Sequence, residues 1–173
     1  MQKPKVGLYI DDSNMYYLAK VNGWKVDYKK LHKWVADQNE IVHAKYFMGM
    51  PSWEPARSIN QALAGYYAKI GYKVITKPLK KIKDTTKPSG FRNKCNFDVE
   101  MHDEVMRDLL NLDIVYIATG ESDFVRTKER VLGEGKKIKF LLHKKNSAWE
   151  LRIGSWHVKL DDIRSEIEKG GSS

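Results

Sequence analysis

Five short apolar runs separated by helical patterns constrain this chain more than any other feature. Residues 6–10, Val6-Gly-Leu-Tyr-Ile10, form a continuous apolar stretch, as expected of a strand buried on both faces. Residues 41–48, 72–76, 113–118 and 138–142 repeat that signature. Between them lie helical patterns at 15–21, 28–38, 55–70, 98–110 and 123–132. Asp27 is placed to cap the second of these, Pro55 suits the first turn of the third, and Gly71 suits its C-terminal cap. A short helix is expected at 147–153, a short strand at 156–160 and a terminal helix at 161–169. Strand and helix therefore alternate. That order predicts an α/β fold, a three-layer α/β/α sandwich whose central parallel sheet is joined by right-handed crossovers. Residues 1–169 read as one domain and 170–173 as a flexible tail.

Composition narrows the function classes. Hydrophobic residues make up 42 % of 173, enough for a packed core rather than disorder. The net charge of +9 points to a polyanionic partner, most commonly nucleic acid. The single cysteine, Cys95, excludes an internal disulfide and a cysteine-built zinc site. No apolar run has the length of a membrane span, and the one nearest the start is too short for a signal sequence. A cytoplasmic location is expected.

The acids fall where an open parallel sheet binds ligands, outside the carboxyl ends of its strands. Asp11 and Asp12 follow the first strand. Glu121 and Asp123 follow the fourth. Asp98 begins the helix that leads into the fourth. Two carboxylates about 5 Å apart repel by roughly 3 kcal/mol at an effective dielectric of 20. Several together need a cation, and hard oxygen donors select Mg²⁺, Mn²⁺ or Ca²⁺ over zinc. Each acid also has a structural reading. Asp11 could end a strand, Asp12 suits a turn, Asp98 suits a helix start behind Asn96, and Glu121 and Asp123 suit a loop and a cap. Ser13 and Asn14 are turn formers that could hold the Asp11 loop by hydrogen bonds. His102 shares the Asp98 face of its helix but reads as structural. A haloacid-dehalogenase-type phosphatase would need Asp-x-Asp-x-[Thr/Val] after the first strand, which Asp11-Asp-Ser-Asn14 does not supply.

Three segments resemble the NYN domains, the LabA-like branch of the PIN-like nuclease superfamily. Val6-Gly-Leu-Tyr-Ile-Asp-Asp-Ser-Asn14 is similar to that family's apolar strand ending in Asp-x-Ser-Asn. Lys94-Cys-Asn-Phe-Asp-Val-Glu100 is similar to its Lys-Gly-x-x-Asp-Val element, and Ala118-Thr-Gly-Glu-Ser-Asp-Phe124 to its Ser-Gly-Asp-Ser-Asp-Phe turn. The resemblance runs from about residue 5 to 142. It implies strand order 3-2-1-4-5 and Mg²⁺- or Mn²⁺-dependent cleavage of RNA. It carries the catalytic and metal roles to Asp11, Asp98, Glu121 and Asp123, with Ser13, Asn14, Ser122 and Glu104 in support. Position 121 departs from the family, having Glu for the usual Asp. That departure favours the alternative of a weak or inactive NYN-fold module that binds RNA or another partner.

The stretch 77–94 holds seven cationic side chains against one acid, Asp84, and reads as a mobile loop leading to Asp98. Lys80, Lys81, Lys83, Lys87, Arg92 and Lys94 are the expected phosphate contacts for single-stranded or structured RNA. Tyr16 is a candidate for stacking on a base, and Trp53 for either a lid or a surface anchor. Pairing with a second copy of the chain is also expected to be open to it.

Overall fold

The computed structural model describes residues 2–153 and 156–170. In chain order it runs β1 (Lys5–Asp11), α1 (Asp12–Asn22), α2 (Tyr28–Gln38), β2 (Glu40–Met50), α3 (Ala56–Ile70) and β3 (Lys73–Pro78). There follow β4 (Lys80–Lys83), β5 (Phe91–Lys94), α4 (Asp98–Asp108), β6 (Ile114–Ala118), α5 (Val125–Gly133), β7 (Lys137–Leu142), β8 (His157–Lys159) and α6 (Arg164–Ile167). Six strands form one sheet in the order β3-β2-β1-β6-β7-β8, and every neighbouring pair is parallel. The five strands for which an order is implied take that order, and the short strand expected at 156–160 forms as β8 and extends the sheet at the β7 edge. No helix of the described residues is long and apolar enough to cross a membrane.

Alternation along β1 divides the core into two layers. Val6, Leu8 and Ile10 face a cluster with Met15 and Leu18 of α1, Leu31 and Val35 of α2, Tyr67 of α3 and Ile167 of α6. Tyr9 faces the opposite cluster, with Met101 and Val105 of α4 and Val131 of α5. Full burial of each such side chain contributes about 1.5–3 kcal/mol. Gly7 leaves the space into which the Tyr9 ring folds back; a Cβ there would lie 2.6 Å from a Tyr9 ring carbon. Helix ends follow local chemistry. Asp27 accepts from the Lys29 and Lys30 amides at 2.9 and 3.2 Å, and Gly71 ends α3 at φ +117°.

β1 lies between β2 and β6, so its two crossovers leave in opposite directions and the chain ends of β1 and β6 open a crevice. That crevice positions the acids. Four details differ from the sequence reading. The stretch 77–94 is not a loop: β4 and β5 pair antiparallel from Lys80↔Lys94 to Lys83↔Phe91. Asp84 closes its turn by accepting from the amide and hydroxyl of Thr86, and Gly90 takes φ +71°. The segment 147–153 forms only a 3₁₀ turn, Trp149–Leu151, and the terminal helix shortens to α6. The helix expected at 123–132 begins as a 3₁₀ turn, Ser122–Phe124, before α5. Of the tail expected at 170–173, residues 171–173 lie outside the described residues.

Candidate metal centre

Three carboxylates from distant stretches of chain converge at the carboxyl end of β1. Asp11 ends that strand, Asp98 opens α4, and Glu121 follows β6. One oxygen from each lies within 4.8 Å of the other two. Asp11 points to the α4 side of the sheet because it is two residues beyond Tyr9 on a pleated strand. Asp98 is held by its own backbone, whose amide donates to Asn96 Oδ1 at 2.9 Å. Glu121 reaches the group across its extra methylene and accepts from Asn14 Nδ2 at 3.1 Å.

Asn14 joins the two strand ends. Its Oδ1 accepts from the Gly120 amide at 2.6 Å while its Nδ2 donates to Glu121. Its own amide donates to Asp11 Oδ1 at 3.3 Å, capping α1. Thr119, fully buried, directs its hydroxyl toward Asp11 Oδ2 at 3.4 Å. Thr119 and Gly120 were missed by sequence reasoning, although both lie inside the motif that contains Glu121. Gly120 is required by close packing: a Cβ would meet Leu18 Cδ1 at 2.9 Å and Ser147 Oγ at 3.1 Å.

The electrostatics are compatible with a bound cation. Asp11 is buried, and burial pushes its carboxyl up to about 7, with Glu121 and Asp98 adding to the rise. Burial also raises Asp98 and Glu121; Asp123 reinforces the first shift and Asp98 the second. Among the described residues none of the three forms an ion pair. Asp98 Oδ1 is buried without a hydrogen-bond partner. An all-oxygen, mutually repelling donor set with an orphaned buried oxygen fits a hard divalent cation.

The remaining candidates fall around this centre. Asp123 is exposed beside Asp98 and lines a groove with it, His102 and Arg126. It stands outside the close group of three. Ser13 sits half-buried on α1, and Ser122 is exposed at the mouth. His102 Nδ1 is 2.9 Å from Thr127 Oγ1, a contact between α4 and α5. The structure does not bring Glu104 to the other acids. It contacts Lys45 at 2.5 Å and Arg107, and Lys45 holds it below the usual carboxylate range.

The mouth is an open groove of about 770 Å³, lined by Glu121, Ser122 and Asp123, by Lys94 and Asn96 at the foot of the hairpin, and by Tyr17 and Trp149. Lys80, Lys81, Lys83, Lys87, Arg92 and Lys94 are all exposed on that hairpin. Trp53 is half-buried under it, with Lys81 Nζ 4.2 Å from the ring centroid, so it acts as an anchor for the hairpin. Tyr16 is exposed on α1, with Lys20 over its ring, and faces away from this groove into a second cavity.

Known proteins share this architecture. A solved structure of a protein of unknown function from Vibrio parahaemolyticus superposes with a TM-score of 0.74 at 20 % identity, covering 97 % of this chain and 98 % of that one. The low amplitude and bright protein LabA of Synechococcus elongatus is 29 % identical over 168 residues, 95 % of this chain and 88 % of its own. The model of the NYN domain, a PIN-like nuclease fold, matches residues 5–170. With the match spanning nearly the whole chain and the acids gathered at its strand ends, this protein belongs to the NYN domain family.

Proposed function

We propose that this protein is a metal-dependent endoribonuclease that hydrolyses RNA phosphodiester bonds at the Asp11, Asp98 and Glu121 centre. One observation carries the reading: three carboxylate oxygens lie within 4.8 Å of one another with no protein cation among them. These three residues would hold Mg²⁺ or Mn²⁺, with Asp123 at the rim to take part through water. A cation held there supplies Lewis acidity at a phosphate and a more acidic water. Asn14 and Thr119 keep the Glu121 and Asp11 carboxylates oriented. Lys94 and the other hairpin cations bind phosphates on either side of the reacting one, and Tyr17 and Trp149 offer exposed rings for unpaired bases. Such contacts favour affinity over sequence preference.

The test is cleavage of single-stranded and structured RNA with Mn²⁺, beside Asp11→Asn and Asp98→Asn. Both variants should lose at least about a hundredfold in rate while retaining RNA binding. Undiminished cleavage by Asp11→Asn would assign the activity to a contaminant and overturn the reading. RNA binding should weaken steeply between about 50 and 200 mM salt. Glu121 in place of the family's Asp supports a second reading, an NYN-fold module that binds RNA without cutting it. Salt-sensitive binding with no cleavage by the wild type, in either Mg²⁺ or Mn²⁺, would select it.

A further inference from the structure

Asp12 is adjacent to Asp11 in sequence yet serves a different space. It turns to the other side of the sheet and enters a cavity of about 490 Å³ between α1, α2 and α3. That volume lies in the range of about 300–1,000 Å³ typical of small-molecule sites. The walls are aromatic. Tyr46 and Tyr67 stack with centroids 4.0 Å apart, Tyr28 meets both edge-on, and Tyr16 and Tyr66 stand half-exposed at the opening. At the floor the Tyr46 hydroxyl donates to Asp12 Oδ1. Among the described residues Tyr46 is the only side chain that donates to Asp12, which leaves Oδ2 with an open acceptor position. Lys25 and Lys169 line the same cavity and are exposed; Asp27 lines it too, but its Oδ1 is taken up by the Lys29 and Lys30 amides as the cap of α2.

These features select a ligand by chemistry. Tyr46 and Tyr67 are stacked on each other and buried, so the aromatic faces open to a planar ring system are those of Tyr16 and Tyr66 at the opening. With Oδ2 open and the second lone pair of Oδ1 left beside the Tyr46 hydroxyl, the Asp12 carboxylate can take two adjacent N–H donors on one edge. Two exposed lysines favour a phosphate at the mouth and oppose a free organic cation, which the tyrosines and carboxylate alone would suit. Among the common nucleobases, guanine carries adjacent donors, N1–H and the exocyclic N2 amine. We propose that this cavity is a guanine-binding pocket, with Asp12 as its reader and Lys25 and Lys169 as its phosphate contacts. The base can come from a free nucleotide or from an RNA strand. Only the link to strand cleavage rests on the nuclease reading, because the pocket lies on the other side of β1 from the acid cluster.

The test is binding without divalent metal, so that it reads the pocket and not the nuclease centre. Calorimetry with GMP, IMP, AMP and UMP should rank GMP first. IMP, which lacks the N2 amine, should bind about tenfold or more weaker, as expected for loss of a hydrogen bond to a charged acceptor. Asp12→Asn should abolish the preference for GMP over IMP. Tyr66→Ala, at an exposed ring that cannot unfold the core, should weaken GMP and IMP alike. A short RNA containing one guanosine should compete with GMP, and the same RNA with that guanosine made abasic should not; this arm separates strand-borne from free guanine. Equal affinity for all four nucleotides, no binding at millimolar concentration, or preferential binding of spermidine would overturn the proposal. None of these outcomes bears on whether the Asp11 centre cleaves RNA.

Discussion

Two clusters of buried charge lie on the same face of the sheet, and they are neutralised in opposite ways. In the first, Lys45 on β2 projects from beside Tyr9 and contacts Glu104 and Asp108 of α4, each at 2.5 Å. The Tyr9 hydroxyl donates to Asp108 at 2.8 Å, which completes the network. In the second, Asp11, Asp98 and Glu121 sit together at the strand ends with no such partner. One cluster brings its cation within the chain. The other has none, so an ion from solution could take that place. Buried carboxylates by themselves therefore do not make a candidate metal site; the second cluster is one because it also lacks a counter-charge among the described residues.

The sharpest way to break this contrast is to remove the internal cation. Lys45→Met removes the one buried cation that Glu104 and Asp108 share, leaves them Arg107 at the surface and the Tyr9 hydroxyl, and should destabilise the protein by about 3–5 kcal/mol, read from urea unfolding. A loss under 1 kcal/mol would show that the first cluster was not neutralised by Lys45.

The converse change removes a repelling acid. Asp11 rises in the folded protein from its ordinary 3.8 to about 7, so the folded state holds this proton where the unfolded state has released it. Metal-free protein should lose stability as pH rises through that window. Asp11→Asn should then melt above the wild type at pH 8, by about 2–4 kcal/mol of stability, and equal it near pH 4. A variant less stable than the wild type at pH 8 would show that the acids of the second cluster do not destabilise one another.

Ion binding supplies the third and smaller effect. At Mn²⁺ about a hundredfold above its dissociation constant, the wild type should gain about 2.7 kcal/mol, seen as a raised melting temperature. The Asp98→Asn variant should gain much less. Arg107→Ala should have the smallest effect, under about 1 kcal/mol, because its contact with Glu104 is exposed and Lys45 remains. A larger loss would move the neutralising role from Lys45 to Arg107.

The sequence made Asp11, Asp98 and Glu121 legible because each adjoins a strongly patterned element: the end of an apolar strand, the start of a helix, the turn after another strand. The Lys45 network left a weaker trace. A lysine inside the apolar run 41–48 marks an anomaly, but its partners lie 59 and 63 residues away and nothing local names them. The hairpin was missed for a different reason. Lys80-Lys-Ile-Lys83 and Phe91-Arg-Asn-Lys94 bear no alternating apolar face, so periodicity carries no strand signal. Backbone pairing and the Asp84 turn hold it together. The Asp12 cavity was equally hidden, since tyrosines from α1, α2, β2 and α3 meet only in three dimensions. Asp12 could be read as a turn residue or as a further acid beside Asp11, but not as part of a separate cavity.

The hairpin ends at Lys94, and Asn96, two residues on, carries the amide contact that seats Asp98. On the function proposed above, a polyanion resting on the hairpin would hold the short arm on which Asp98, one of the proposed ion ligands, is mounted. Thermodynamic reciprocity gives that attachment a definite meaning: whatever factor by which a bound strand tightens the ion, the ion must tighten the strand by the same factor. Arrival of the polymer and loading of the cation would then be one coupled equilibrium rather than two separate events.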